Sequence, residues 1–454
     1  MAGPTIPRPA PTQRATRGIA GPTVAPTVAP ITRLGGRRRR RILPTVKGRP
    51  WRRAGHWHRG ILCGFPNAPS RTVSAAVTAD RNAAPLPPPP PACGASGGAP
   101  ADLVWRRQAR ALVEDLFARS PAIYWTDLLL SAGFAWLATA VYLSAPAWSA
   151  AQLLGFVVAG VLFFRAGTFI HEIVHMPASQ MRWFKRVWNL VIGIPLLMPW
   201  IFYRSHADHH SARHFGTPAD GEYLPLGAAP LRETLKYLAQ APLLPLLMVV
   251  RFGIVGPLSW FVPPLREWVL TAASAAVSNP YYRKRFPKRD ERHLLAVEAL
   301  CFVYLLALAL VSWQGLIDPL RLAQGYLLLA FALSLNWVRN LAAHHYVNAG
   351  ERMTLAAQIA DSINITGQTW LTILMFPVGL RYHALHHLFP ALPYHRMGEA
   401  HRRLMQGLPP EAGYRATNCE SFFGAVAGLW RSASRTAPRR SAMRAWLAAA
   451  GRRS

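Results

Sequence analysis

The feature that most limits how this chain can fold is a run of 37 residues, positions 128–164, that contains no charged side chain. A membrane-spanning helix needs about 20 mostly apolar residues, so this run is too long for one span. Pro146 lies near its middle, where a proline interrupts a helix. The run therefore predicts two spanning helices joined by a tight, uncharged turn.

A second pair of apolar segments lies later in the chain, at residues 294–313 and 322–338, with Asp318 and Arg321 in the short loop between them. The composition agrees with a membrane protein, because 51% of the residues are hydrophobic and only 16% are charged. A soluble globular protein has about 25% charged residues. These segments predict an all-α integral membrane protein with four transmembrane helices.

Three shorter apolar segments are bounded or separated by arginines and contain several prolines. Each is marginal for crossing a bilayer, so we expect interfacial or re-entrant helices from them. They are residues 187–203, 237–250 and 252–265.

The net charge of +31 is concentrated at the two ends of the chain. Residues 1–100 hold 16 Lys and Arg against one acid, and residues 431–454 hold 7 against none. The remainder has 28 basic and 19 acidic residues, a balance that cytoplasmic loops of a membrane protein explain. The charge therefore does not imply nucleic acid as a partner. The four cysteines show no paired spacing and predict neither disulfides nor a zinc knuckle.

The chain divides into three parts by composition. Residues 1–105 form a Pro/Arg-rich extension with the runs Arg37–Arg41 and Pro87–Pro91, which we expect to be disordered because it cannot bury enough apolar surface. It is either a basic tail on anionic lipid or an extension without a structural role. Residues 106–430 form the membrane domain, and residues 431–454 form a basic C-terminal tail.

Loop charge predicts the orientation of the four spans. The short turns near Pro146 and Asp318 are poor in Lys and Arg, whereas residues 165–293 and 339–430 are rich in them. By the positive-inside rule, the two long segments face the cytosol. Fourteen of the 16 histidines lie in them, which predicts a functional site in a helical cap on the cytosolic side.

Nine of these histidines occur in four clusters with spacings that suit metal ligands. Two histidines four positions apart on a helix share one face, about 6 Å apart, so both can reach one metal centre. Imidazole suits Zn, Fe, Cu and Ni, and nine imidazoles are too many for one ion but enough for two with open positions. The nine are His171 and His175; His206, His209 and His210; His344; and His383, His386 and His387.

Several neighbouring residues are candidates for roles around the metal. Carboxylates often accept the second ring N–H of a ligand imidazole, and Glu172, Asp208 and Asp361 could do so here or could be solvated surface groups. Further histidines lie near the clusters but outside their spacing, and we expect them to be supporting or surface residues. They are His214, His345, His395 and His401.

The chain resembles the membrane fatty acid desaturase family, which also includes lipid hydroxylases and ketolases. The resemblance rests on three histidine boxes, HEIVH at 171–175, HADHH at 206–210 and HALHH at 383–387. It also rests on Asn340 and His344 in an Asn-x-x-x-His element, and the run 379–390 looks like bacterial members. The resemblance implies two iron ions on the nine histidines, with Asn340 reaching one through water, in a bacterial inner membrane with a cytosolic active site.

The resemblance further implies an O₂-dependent fatty acid desaturase that introduces a double bond into a lipid acyl chain. No dinucleotide fingerprint, haem attachment site or iron–sulfur cysteine set is present in the sequence, so a separate ferredoxin-like or cytochrome-like protein would deliver the electrons. A hydroxylase or ketolase for another lipid is the main alternative. A zinc-dependent membrane hydrolase follows from His171-Glu172 as a zincin motif, and a metal transporter is disfavoured because Glu298 alone is ionisable within the predicted spans.

Overall fold

The computed structural model describes residues 99–451 except 277, 368, 439 and 440, together with their contacts. All of these residues belong to one compact unit, Arg81–Ser454. The predicted disorder of the extension lies outside the described residues up to position 98.

The described part of the chain is built almost entirely from helices. A π-helical turn lies at Asn189–Gly193, and another at Arg251–Val255 joins two α-helices. Single 3-10 turns occur at Glu114–Phe117, Trp200–Ser205, Leu226–Ala228, Lys288–Asp290 and Gly413–Thr417. The helices are α1 Ala99–Leu112, α2 Pro121–Ser144, α3 Ala150–Val174, α4 Arg182–Trp188, α5 His206–His209, α6 Leu231–Val250, α7 Gly256–Ser259, α8 Pro263–Ala272, α9 Glu291–Trp313, α10 Pro319–Asn340, α11 Leu355–Asp361, α12 Thr369–Met375, α13 His383–Leu388, α14 Tyr394–Gly407, α15 Phe422–Arg435 and α16 Ala442–Gly451.

The predicted hairpin around Pro146 is confirmed. Helix α2 ends at Ser144, and the Ser149 side chain caps α3 by accepting a hydrogen bond from the Gln152 backbone N–H. The two helices pack closely beside the turn, where a Cβ on Gly155 would lie 2.9 Å from the Tyr142 nitrogen. A glycine is therefore required at this crossing.

Among the described residues, four helical segments are long and apolar enough to cross a membrane, and three of them match predicted spans. They are Pro121–Ser144, Ala150–Val174, Leu231–Ser259 and Lys288–Trp313. The predicted fourth span forms a 22-residue helix, α10, but polar residues near both of its ends keep it outside this set. The sequence pattern predicts a span at 322–338 but does not predict the candidate span that begins at Leu231.

The prediction of separate interfacial or re-entrant helices at 237–250 and 252–265 is wrong, because the helix does not break between them. The first segment joins residues 252–259 of the second through the π-helical turn, and together they form one continuous helix that ends at Ser259. The rest of the second segment leads into α8. Arg251 appeared to separate them, but its guanidinium is buried against the Glu298 carboxylate of α9. Pairing removes the net charge that made a crossing at Arg251 costly. The segment at 187–203 forms only short helical pieces, as expected for a region that does not span.

The long helices expose apolar side chains on their outer surfaces. On α9, Leu300, Val303 and Leu310 are more than half exposed, and Trp313 at its end is 90% exposed. Soluble monomeric proteins rarely expose large contiguous apolar surfaces. The outer surfaces of these helices therefore suit contact with lipid.

The last described segment of the chain is helical and packs against the rest of the fold. Residues 422–435 form one helix, and Trp446 of α16 is fully buried in the hydrophobic cluster that also contains Tyr223 and Tyr346. At the other end, α1 begins at Ala99 and buries Trp105, so the folded part starts before residue 106. The many arginines at both ends of the chain gave no indication that Trp105 and Trp446 are buried.

A short parallel strand pair organises the cap next to the last histidine cluster. Asn364–Ile365 pairs with Asn418–Cys419. The Asn364 side chain accepts a hydrogen bond from the Leu385 backbone N–H at 3.2 Å and donates to Thr417 Oγ1 at 3.0 Å. These bonds fix helix α13 to the cap and so orient its three histidines.

Candidate metal centre

Helix α3 carries the first histidine cluster out of its apolar segment. His171 lies in its last turn and His175 is its C-cap residue, so the i, i+4 spacing places both on one face. His171 is buried and leaves both ring nitrogens without a hydrogen-bond partner in the described part of the chain. Its ring centroid lies 4.2 Å from that of His386.

The second cluster sits on the single turn α5, which neighbouring polar groups hold in place. Asp208 accepts hydrogen bonds from the Tyr282 hydroxyl at 2.8 Å and from Lys284 Nζ at 2.7 Å. These bonds point Asp208 away from the centre. His206 and His209, on either side of it, turn inward and are almost completely buried.

His344 does not lie on a continuing helix, contrary to the predicted i, i+4 relation with Asn340. Helix α10 ends at Asn340, and the Ala343 backbone N–H bonds to the Asn340 carbonyl in a tight turn. His344 then bridges to Ser362 in antiparallel fashion. The turn still delivers the His344 ring to the interior, while His345 lies outside both histidine groups described below.

The structure brings all nine predicted histidines together in two groups. Within each group, one candidate ligand atom of every residue lies within 4.8 Å of the others. The groups are adjacent, since the ring centroids of His210 and His387 are 4.4 Å apart. Group 1 contains His171, His175, His206, His210 and His386, and group 2 contains His209, His344, His383 and His387.

Hydrogen bonding at the outer nitrogens shows which ring atoms face each group. His209 Nδ1 is 2.9 Å from an Asp220 carboxylate oxygen, so this nitrogen carries the proton. His344 Nδ1 is 3.2 Å from Ser362 Oγ, whose own hydrogen goes to the Gln358 carbonyl. Both Nε2 atoms are therefore bare lone pairs.

These bare nitrogens face each other. His209 Nε2 and His344 Nε2 are 3.2 Å apart, and His344 Nε2 is 2.8 Å from His383 Nε2. Two lone pairs at such distances repel one another unless a proton or a metal ion lies between them. The donor set therefore fits a metal ion in group 2, and His206 Nε2, 3.0 Å from His210 Nε2, gives group 1 the same character.

Burial keeps most of these imidazoles neutral, which is the form that binds metal. It holds the pKa of His206 and of His387 well below the ordinary value and lowers the pKa of His175 to about 3. At His209, burial also opposes charge, but the Asp220, Glu222 and Asp361 carboxylates together outweigh it and raise the pKa. Asp220 accordingly binds His209 more firmly than a neutral acceptor would.

Two of the carboxylates at the outer nitrogens were not predicted. Asp220 bonds to His209, and Glu222 accepts from His206 Nδ1 at 2.6 Å. Burial raises the pKa of Glu222 to about 7. Both carboxylates follow the second box by about ten residues, and the scarcity of acids in the chain was the one signal that could have indicated them.

The three carboxylates that were predicted have different positions. Asp361 lies 3.4 Å from His344 Nδ1, within ion-pairing distance but too far for a hydrogen bond, and accepts from the Tyr223 hydroxyl. Glu172 accepts from the Tyr124 hydroxyl, and Asp208 bonds to His214, Tyr282 and Lys284. The structure therefore does not bring Glu172 or Asp208 to any of the nine imidazoles, because each neighbours a histidine on its helix and points away from it.

A small cavity of about 10 Å³ lies between the two groups. It has room for about one water molecule. Asn340 lines it beside members of both groups, a position compatible with the predicted contact through water. Its other lining residues are His171, Tyr203, His206, His209, Glu222, Arg339, Ala343, His344, Tyr346 and His383.

Comparison with known proteins agrees with this geometry. The profile of the family described as "Fatty acid desaturase" matches residues 146–418. A protein named ceramide hydroxylase from Caulobacter vibrioides (strain NA1000 / CB15N) is 36% identical over 334 residues, covering 73% of this chain and 94% of the relative. No solved structure matches.

Proposed function

Because this chain belongs to the fatty acid desaturase family, we propose that it is an O₂-dependent di-iron hydroxylase of a membrane lipid, with a ceramide as its substrate. The observation that carries this proposal is the convergence of nine histidine side chains in two adjacent groups with bare nitrogens facing inward. The name of the similar protein supports ceramide and hydroxylation over the double bond expected from the sequence.

The overall reaction consumes one O₂ and two electrons. One C–H bond of the lipid breaks and one oxygen atom enters the new C–O bond, while the other oxygen atom takes up two protons and leaves as water. Iron held by the two groups would supply O₂ activation, which no amino-acid side chain can perform. Family membership supports iron as the metal, since imidazole alone also suits zinc and copper.

The residues around the histidines position the ligands and restrict water. Asp220, Glu222 and Ser362 fix the ring orientations of His209, His206 and His344. Such outer partners raise ligand basicity and hold each ring at the angle that metal binding needs. Asn340 would contact one metal through a water molecule in the cavity.

Desaturation is the second candidate, because the same oxidant can take a second hydrogen from the neighbouring carbon instead of delivering oxygen. Family membership supports it as well as it supports hydroxylation. The two reactions differ in their products, so product analysis separates them. A single-zinc hydrolase and a metal transporter, the other readings of the sequence, have no comparable support from the family.

The electrons would come from a ferredoxin-like or cytochrome-like protein on the cytosolic side of a bacterial inner membrane. A basic segment, residues 283–289, offers an acidic donor a docking surface close to the second cluster. In this segment Arg283 and Lys288 are exposed, and Lys284 bonds to Asp208, which lies between His206 and His209 in the sequence. Opposite charges on the two partners would steer their association.

The test is lipid analysis of cells that make ceramide and express this chain, compared with cells expressing the His344→Ala variant. We expect a ceramide 16 mass units heavier in the first culture alone. A ceramide or fatty acid lighter by 2 mass units would favour desaturation. Unchanged lipids in both cultures, with the protein present and iron-loaded, would contradict both candidates.

A further inference from the structure

Arg339 is a buried cation beside the two histidine groups. It is the last-but-one residue of α10, is 7% exposed, and lines the same cavity as His171, His206 and Asn340. Its Nη2 donates to Asn336 Oδ1 at 2.6 Å, whereas its Nε is buried with no hydrogen-bond partner in the described part of the chain.

Arg339 differs from Arg251, the other buried arginine of the described residues, in having no acidic partner. Arg251, which is 5% exposed, pairs with Glu298. Among the residues that the structure describes, no carboxylate lies within ion-pairing distance of Arg339. The nearest candidate in the cavity, Glu222, has its oxygens engaged by His206 Nδ1 and the Tyr203 hydroxyl.

A buried arginine N–H without an acceptor is costly, so the Nε of Arg339 suits a ligand that brings an acceptor. A guanidinium binds oxygen acceptors through planar, forked N–H groups, and it does not lose its proton in proteins. Arg339 lines the same cavity as His171, His206 and His344, so an atom bound to Arg339 there is close to the two histidine groups. The acceptor must therefore be within a few bonds of the carbon that reacts.

We propose that Arg339 binds the carbonyl oxygen of the acyl lipid, so that the enzyme oxidises the carbon beside the carbonyl and not one in the middle of the chain. This inference rests on the proposed function and adds the position of the reaction. Oxidation in the middle of an acyl chain would place only methylene groups at Arg339 and leave Nε without an acceptor. The hydroxyl group then enters the carbon next to the amide carbonyl of a ceramide, with the same balance of atoms and electrons as above.

The test compares wild type with Arg339→Gln in the full-length, iron-loaded protein. The probes are a ceramide and its thioamide analogue, in which a weakly accepting sulfur replaces the carbonyl oxygen. Binding is measured by tryptophan fluorescence without reductant, so that no turnover occurs. Tandem mass spectrometry of the product from reduced enzyme then gives the position of the hydroxyl group.

We expect wild type to bind the ceramide about tenfold more tightly than the thioamide, since a hydrogen bond to a charged group contributes on that order. Arg339→Gln should bind the ceramide about tenfold more weakly and lose the preference. Arg339→Lys keeps the charge and should fall between them, and it replaces the Gln variant in the comparison if the latter fails to retain iron. Arg321→Gln, at the other end of α10, is the control and should match wild type.

Two results would overturn the inference while leaving the proposed function intact. One is a mid-chain hydroxyl group in the wild-type product. The other is an unchanged preference for the ceramide in the Arg339 variants. If wild type binds the ceramide with the expected preference but oxidises no lipid, the proposed reaction fails and the assignment of Arg339 as the carbonyl-binding residue stands.

Discussion

At the residue scale, histidine spacing predicted which histidines form the site, but it did not predict the residues that surround them. The nine histidines expected to act as ligands are the nine that the structure brings together. Spacing could not identify Asp220, Glu222 or Arg339, because their approach to the centre depends on how separate segments fold together. Glu172 shows the converse, since adjacency to His171 in sequence suggested a contact that helix geometry turns away.

Replacement of adjacent histidines separates a ligand from its neighbour. His344→Ala should remove iron and activity together, because the His344 ring belongs to group 2. His345→Ala should retain most of both, since its ring lies outside both groups. Asn340→Ala should be intermediate, because contact through water contributes less than a direct metal bond. Iron content measured beside turnover decides this, and loss of iron in His345→Ala alone would reverse the assignment.

The carboxylate at His206 should affect iron affinity without being a ligand. Glu222→Gln removes the charge that holds the His206 Nδ1 proton, and we expect iron affinity to fall about 10- to 100-fold. Competition with a chelator measures the change. Glu267→Gln alters an exposed carboxylate and should have no effect. Equal affinities in both variants would mean that Glu222 does not support the site.

At the element scale, hydropathy predicted α2, α3 and α9 but failed where charges are paired inside the fold. Arg251 looked like the end of an apolar segment, and only the position of Glu298 on α9 explains why the helix continues. Likewise, the basic character of residues 431–454 outweighed a few apolar residues that pack well. Sequence patterns report average polarity, whereas helix boundaries here depend on individual long-range partners.

Helix α16 contributes Trp446 to the hydrophobic cluster next to the site, and loss of this side chain should destabilise the protein. Trp446 is fully buried in the same hydrophobic cluster as Tyr346, a residue that lines the cavity. Trp446→Ala should lower the free energy of unfolding by about 3–5 kcal/mol. Leu447→Ala, at a 37% exposed neighbour, is the control and should cost much less. Thermal unfolding in detergent measures both, and equal transitions would show that α16 contributes little.

At the scale of the whole molecule, apolar helices hold a polar centre that no single segment could form. Group 1 takes its candidate ligands from α3, α5 and α13, and group 2 takes them from α5, α13 and the turn after α10. The order of the histidine boxes and the fold class followed from the sequence together with the family resemblance. The division of nine ligands into five and four did not, because it depends on how these elements meet.

The metal content of the purified chain is the most direct test of this account. Reconstituted with ferrous iron under reducing conditions and freed of excess metal, the protein should hold close to two irons per chain. The measurement is elemental analysis against protein concentration, with zinc determined in the same sample. One zinc per chain and no bound iron would contradict the account.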